Sequence, residues 1–148
     1  MAASLSWQGT GDMTTTRRRY VPDTEGLNRE FFVQAAGGTL HLQRCARCGT
    51  HRFPPRYYCP HCFSGEWTWE PSHGRGQISS WVTSYFTTDP GWVDEVPYTT
   101  IVVELAEGPR LLGAMGDLTV DELRIGKPVV IVGEAIRDDF VFFTVNQA

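Results

Sequence analysis

The sequence contains no apolar run that approaches the ~20 residues a membrane-spanning helix needs. Its first residues also lack a basic region followed by a long apolar stretch, so a secretory signal is not predicted. Positive charge is not in excess, because the formal net charge is -4. That balance disfavours nucleic-acid or membrane-surface binding as the main role, since both require a positive field. We therefore expect a cytoplasmic protein.

Motifs that would carry catalysis are also missing. The chain has no GxSxG, P-loop or GxGxxG sequence. Its four histidines have no identifiable catalytic partners, and only one of them, His73 in "SHGRG", is placed in a loop where it could serve chemistry. The sequence therefore predicts no catalytic residue.

All four cysteines fall in one segment, "CARCGTHRFPPRYYCPHC". In the cytoplasm, two CxxC pairs are more typical of a metal site than of disulfides. Two such knuckles complete the tetrahedral shell of four thiolates that zinc accepts, so Cys45, Cys48, Cys59 and Cys62 are predicted zinc ligands. The closed shell predicts a structural metal and leaves no free thiol for covalent catalysis. Iron, as in rubredoxins, and four metal-free thiols are the alternatives.

Four arginines lie within or beside this segment: Arg44, Arg47, Arg52 and Arg56. One interpretation is that they offset the formal charge of about -2 that four thiolates leave on a zinc ion. The other is that one or two of them face outward and bind phosphates, for which guanidinium groups are well suited. The sequence leaves both open.

The organisation along the chain is read as four parts. Residues 1–19 are predicted to be a disordered tail, and the sequence leaves open whether translation starts at Met1 or Met13. An N-terminal helix follows at 20–38, then a zinc ribbon at 39–72 and a β-barrel at 73–148.

The helix is predicted from "PDTEGLNREFFVQAAGG". Asp23 or Thr24 is positioned to cap its N-terminus, and the double glycine supplies a left-handed stop. Leu27, Phe31 and Ala35 recur at helical spacing and form one apolar stripe. Such a helix packs on its own domain or offers an aromatic face to a partner.

The last half of the chain changes to consecutive strands. They are read as "QISSWVTSYF", "YTTIVVEL", "RLLGAM", "KPVVIVGEAI" and "FVFFTV", with a short helical segment between the third and fourth. This arrangement favours a five-stranded OB-fold barrel, with an SH3-like barrel as the alternative. Trp81, Tyr85, Phe86 and Trp92 are more aromatic surface than one small barrel needs.

The ordered series of motifs resembles a known family. Its most specific pieces are "CxxCG" followed by "FPPR", then "CPxC", a glycine pair in "GRG" and "PY" before the second barrel strand. The chain is similar over roughly 21–145 to the acyl-CoA-associated OB-fold family that carries an N-terminal rubredoxin-like zinc ribbon. The fold class expected is therefore mainly β, with an N-terminal helix, a zinc ribbon and an OB-fold barrel.

This resemblance implies a non-catalytic accessory subunit. Members pair with thiolase-like enzymes, including lipid-transfer-protein-type retro-aldolases of steroid side-chain breakdown, or with MaoC-type enoyl-CoA hydratases or acyltransferases. It implies a structural Zn²⁺, a hetero-oligomer and acyl-CoA at a shared interface. The arginine set then becomes a candidate contact for CoA phosphates or the partner, and Leu27, Phe31 and Phe32 become a candidate partner-facing surface.

Two other functions remain in view. A nucleic-acid module is compatible with a zinc ribbon, an OB-fold and strand aromatics, although the acidic charge opposes it. A stand-alone CoA-ester hydratase or thioesterase would need an acid or base that the sequence does not identify.

Overall fold

The computed structural model of the chain describes residues 21–148, and the predicted tail at 1–19 lies outside this range. The elements in chain order are α1 (Gly26–Ala35), β1 (His41–Cys45), β2 (His51–Arg52), β3 (Trp67–Pro71), β4 (Arg75–Ser84), β5 (Tyr98–Leu105), β6 (Arg110–Met115), a 3₁₀ turn (Val120–Glu122), β7 (Pro128–Arg137) and β8 (Phe140–Gln147). Among the described residues, no helix has the length and apolar content that crossing a membrane requires.

Helix α1 begins later than its capping pattern predicts. Its N-cap position is Glu25, without a side-chain cap, so the predicted caps at Asp23 and Thr24 are wrong. The Thr24 hydroxyl instead lies 3.3 Å from the Asp139 carboxylate, at the turn between β7 and β8. A tertiary contact has thus replaced the local cap. The helix ends as predicted, with Gly38 at a φ of 87°.

The metal segment lies in a small antiparallel sheet of order β2-β1-β3. Strand β1 pairs along its full length with β3, from His41 opposite Pro71 to Cys45 opposite Trp67. The two-residue strand β2 pairs with the other edge of β1. The sequence pattern does not predict β2 as a separate strand. Backbone hydrogen bonding thereby holds the first knuckle at the end of a continuous strand.

Strands β4 to β8 close into a barrel of order β4-β5-β6-β8-β7. All neighbours are antiparallel except β6 and β8, which pair in parallel. The alternation of residues along strand β5 suits one wall of the barrel. Every second side chain is buried inside it, namely Thr99, Ile101, Val103 and Leu105. The closed five-stranded order confirms the OB-fold and rejects the SH3-like alternative.

One hydrophobic core runs through the helix, the ribbon and the barrel. Phe31 of α1 packs against the ring of Phe53 from the ribbon, at 5.2 Å between centroids, and against Phe143 of β8, at 5.8 Å. Leu40 and Leu42 beside the ribbon belong to the same buried cluster. The helix is therefore part of this chain's own packing.

Candidate metal centre and partner-facing surface

The four cysteine sulfurs converge at one point. All four Sγ atoms lie within 4.8 Å of one another, with Cys45 and Cys62 at 3.5 Å and Cys48 and Cys59 at 3.6 Å. A tetrahedral shell with Zn–S bonds of ~2.3 Å has edges of about 3.8 Å between sulfurs. The spacings fit that shell, and they exceed the ~2.05 Å of a disulfide bond. These residues could therefore hold a metal ion in the predicted way.

The two knuckles share one backbone geometry. Each first cysteine accepts a hydrogen bond at its carbonyl from the residue four positions later, and each donates its N–H to the carbonyl five positions later. For Cys45 these partners are Gly49 and Thr50, and for Cys59 they are Phe63 and Ser64, all at 2.9 to 3.0 Å. Such turns aim both thiols of a knuckle at the same point, which is why CxxC spacing binds metal.

The thiols are held in a setting that favours a cation. Hydrogen bonds from the side chain and backbone of Thr50 lower the pKa of Cys48 to about 5. A backbone hydrogen bond from Ser64 favours the Cys62 thiolate, but burial and the three neighbouring cysteines prevail and raise its pKa to about 11. A bound divalent cation would favour the thiolate form of all four cysteines, because metal ligation requires deprotonated sulfur.

The structure separates the four arginines into different roles. Arg52 is only 4% exposed. Its Nε donates to Gln43 at 2.9 Å, another guanidinium nitrogen donates to the Arg56 carbonyl at 3.0 Å, and the group lies 5.4 Å from the Trp67 ring centroid. The prediction that Arg52 contacts CoA or a partner is therefore wrong, because its guanidinium is buried inside the ribbon.

The other three arginines are on the surface. Arg44 donates to Glu70 at 3.1 Å, and Glu70 also lies 3.2 Å from His51. The side chains of Arg47 and Arg56 are exposed and form no ion pair within residues 21–148. For these three surface arginines, contact with CoA phosphates or a partner stays a prediction, and Arg47 and Arg56 are the two without an ion pair among the described residues.

The predicted partner-facing helix residues are mostly internal. Leu27 and Phe31 are buried, and Phe31 lies in the core described above. The prediction that these two face a partner is wrong, because the apolar stripe of α1 is satisfied by this chain's own ribbon and barrel. Phe32 is half-buried, with its ring 4.8 Å from that of Phe140. A role for Phe32 in partner binding stays a prediction.

The barrel presents the aromatic surface that the sequence suggested. Tyr85 and Phe86 are almost fully exposed, and Trp81 is partly so. Trp92 instead packs against Tyr98, 4.9 Å between centroids, and borders a cleft of about 400 Å³ over β5, β6 and β8. This cleft was not predicted, because its walls come from four separate parts of the chain.

Comparison with known families decides the relationship. The family described as "ChsH2, rubredoxin-like zinc ribbon domain" matches residues 35–68, and the one described as "ChsH2, C-terminal OB-fold domain" matches residues 69–134. A "DUF35 domain-containing scaffold protein" from Methanothermobacter thermautotrophicus is 33% identical over 97 residues, which are 65% of this chain and 72% of that protein.

The chain belongs to the ChsH2/DUF35 family.

Other similar proteins are matched over different shares of their length. The "Probable enoyl-CoA hydratase alpha subunit" of Thermomonospora curvata is 34% identical over 123 residues, which are 81% of this chain but only 38% of that protein. A chain of the "Ltp2-ChsH2(DUF35) aldolase" superposes with a TM-score of 0.72 and 33% identity, covering 84% of this chain and 97% of that one. A DUF35 protein of unknown function from Sulfolobus solfataricus, 18% identical with a TM-score of 0.54, shows the shared fold alone.

Proposed function

We propose that this ChsH2/DUF35 protein is a non-catalytic accessory subunit of a thiolase-fold aldolase that acts on acyl-CoA substrates. The observation that carries the proposal is the match to the DUF35 chain of an aldolase complex, because it spans nearly all of that chain. Relatives named as scaffold proteins support the same role. The steroid side chain or a fatty acyl chain is the substrate class we propose for the enzyme.

The site geometry supports a binding role for the chain. The only nucleophilic thiols are those of Cys45, Cys48, Cys59 and Cys62, and all four face one point, where they suit a structural zinc ion. Zinc would then fix the ribbon and supply no open position for a substrate. The enzyme subunit would provide the reacting groups, and acyl-CoA would lie where the two proteins meet.

An enoyl-CoA hydratase complex of the MaoC type is the second candidate. The specific support is the 34% identity to a probable enoyl-CoA hydratase alpha subunit, which is longer than the matched region. In that case a partner hydratase subunit takes the place of the aldolase, and the role of the present chain as scaffold is unchanged.

Co-expression tests the aldolase proposal directly. The chain would be co-expressed with a thiolase-fold protein of its native host, and the complex measured by size-exclusion chromatography with light scattering. We expect a stoichiometric complex and retro-aldol cleavage of acyl-CoA substrates that depends on both chains. Separate proteins, each soluble and with the enzyme fully active alone, would refute the proposal.

Two further measurements separate the alternatives. Incubation of the purified chain alone with acyl-CoA substrates should give no turnover, and measurable turnover would identify a stand-alone enzyme. A stable complex with a neighbouring MaoC-type hydratase, but none with the thiolase-fold protein, would select the second candidate.

A further inference from the structure

The two knuckles of the ribbon differ at one equivalent position. After the second cysteine of each knuckle the backbone is left-handed, with a φ of 72° at Gly49 and 59° at Phe63. Both residues donate their N–H to the first cysteine of their knuckle at 2.9 Å, so the geometry is the same. The first knuckle fills the position with glycine, and the second fills it with phenylalanine.

Phenylalanine is poorly suited to this position if folding alone decides. A left-handed backbone is strained for a bulky side chain, and Phe63 is the single non-glycine residue with a positive φ within residues 21–148. Its ring does not recover that cost by burial, because the residue is 80% exposed. A strained residue that buries nothing in its own chain is typical of a functional surface.

The surroundings of Phe63 suit a protein partner. Tyr58, at the other end of the same turn, is also largely exposed, with its ring against Gly65. Arg56 lies two residues before Tyr58, and Arg47 belongs to the facing knuckle. These two arginines form no ion pair within the described residues, and the exposed acidic residue nearest to Phe63 in sequence is Glu66. Two exposed aromatic residues that flank one metal-binding turn, in a ribbon with two unpaired surface arginines, suit an apolar pocket with acidic groups at its edge.

We propose that Phe63 and Tyr58, the second-knuckle patch, dock into an apolar pocket on the enzyme subunit, with carboxylates of that subunit facing Arg47 and Arg56. This inference rests on the proposed function, because it names the surface by which the accessory subunit holds its enzyme. Backbone hydrogen bonds of the turn fix the chain from Cys59 to Ser64, so little backbone freedom is lost on association. An anchor of this kind typically dominates the affinity of an interface.

The decisive variant is Phe63→Gly. It places in the second knuckle the residue that the first knuckle already has, so the fold and the metal content should be preserved and the thermal midpoint should be equal or higher. Affinity for the co-expressed thiolase-fold subunit should fall by roughly 30-fold or more, as for a hot-spot residue. The matched control is Phe86→Gly, which removes an equally exposed ring, 79% against 80%, from the barrel loop.

Each outcome decides for or against the patch. Weaker binding with Phe63→Gly and near-normal binding with Phe86→Gly support it, and Arg56→Glu should also slow association at low salt.

Unchanged binding with Phe63→Gly overturns the inference while the proposed function stands. A lower thermal midpoint for Phe63→Gly also overturns it, because the ring would then serve the fold. If the isolated chain forms a dimer and Phe63→Gly dissociates it, the second-knuckle patch binds a second copy of this chain instead of the enzyme subunit. Absence of any complex with the unmodified chain refutes the proposed function itself.

Discussion

Phe31 is the side chain whose loss should most directly show that helix, ribbon and barrel fold as one unit. It is 3% exposed and touches four aromatic rings, Phe32, Phe53, Trp69 and Phe143, with centroid separations of 5.1 to 6.3 Å. Those rings belong to the helix, the ribbon and the barrel. Replacement of Phe31 by alanine would therefore leave a cavity at the point where all three meet.

The expected cost follows from the burial. Phe→Ala at a fully buried site lowers the free energy of unfolding by about 3–5 kcal/mol, from lost transfer energy and the cavity that remains. Rigid aromatic neighbours collapse poorly into such a space, so we expect a value in the upper half of that range. For a chain of this length the thermal midpoint should fall by roughly 10–20 °C. Domains of this kind are stable by only about 5–15 kcal/mol, so the effect is a large share of the total.

Thermal and urea unfolding of the zinc-loaded full chain, followed by near-ultraviolet and far-ultraviolet circular dichroism, would measure this cost. Val33→Ala is the control, because Val33 is on the same helix but half-exposed, and its effect should stay within about 0.5 kcal/mol. A loss below about 1 kcal/mol for Phe31→Ala would refute the shared core. So would two separate transitions of which only the first is shifted, because the helix would then fold independently of the barrel.

Three further predictions concern the metal, the barrel and the β7–β8 turn. Cys59→Ser should reduce bound zinc, measured by mass spectrometry, from one per chain to well below one, and lower stability sharply, since structural zinc contributes roughly 10 kcal/mol or more. Gly76→Ala should destabilise by about 3 kcal/mol or more, because the new Cβ would lie 2.3 Å from a backbone carbonyl of β5. Asp139→Asn should destabilise at pH 7 and less at pH 3, because Arg137 holds the pKa of Asp139 below its ordinary value.

Gly37 provides the control for Gly76→Ala. Gly37→Ala should be nearly neutral, because a Cβ there meets nothing within 4 Å. The Asp139 carboxylate has a lowered pKa in the folded chain, so its contribution is complete above the unfolded value of about 3.9 and disappears as the pH falls through the folded value. An equal deficit for Asp139→Asn at both pH values would contradict this. If the purified protein is red and shows thiolate-to-iron absorption, the metal is iron, and the Cys59→Ser prediction then applies to bound iron.

Much of the fold could be predicted from the sequence, because strands and turns are specified by patterns among neighbouring residues. The strand "YTTIVVEL" was predicted with the bounds of β5, since strict alternation of buried and exposed residues requires only period two. The helix start was not accessible in this way. Thr24 carries the capping chemistry, but its hydroxyl bonds to Asp139, 115 positions away, and no local rule reads such a contact.

The same distinction holds at the site. The convergence of four cysteines within 18 residues is predictable, because each knuckle is a local turn. The burial of Arg52 was not, because it depends on Gln43 across a strand pair and on the Trp67 ring. The sequence does contain a signal for the strained backbone at Phe63, because "CARCG" has glycine after its knuckle and "CPHCF" has phenylalanine there. The structural meaning of that contrast is the left-handed backbone after each knuckle.

The proposed metal centre and the second-knuckle patch depend on each other, because the metal would hold the patch in position for binding. An exposed ring serves as an anchor only if its position is fixed before binding, and the chain around Phe63 is too short to build a core of its own. A closed zinc shell would fix it, because the ligands Cys59 and Cys62 lie within the same turn as Phe63. Removal of zinc should therefore abolish association with the enzyme subunit, because the turn that carries Phe63 would lose its support. Phe63→Gly should weaken association with zinc fully retained, which distinguishes loss of the anchor from loss of its support.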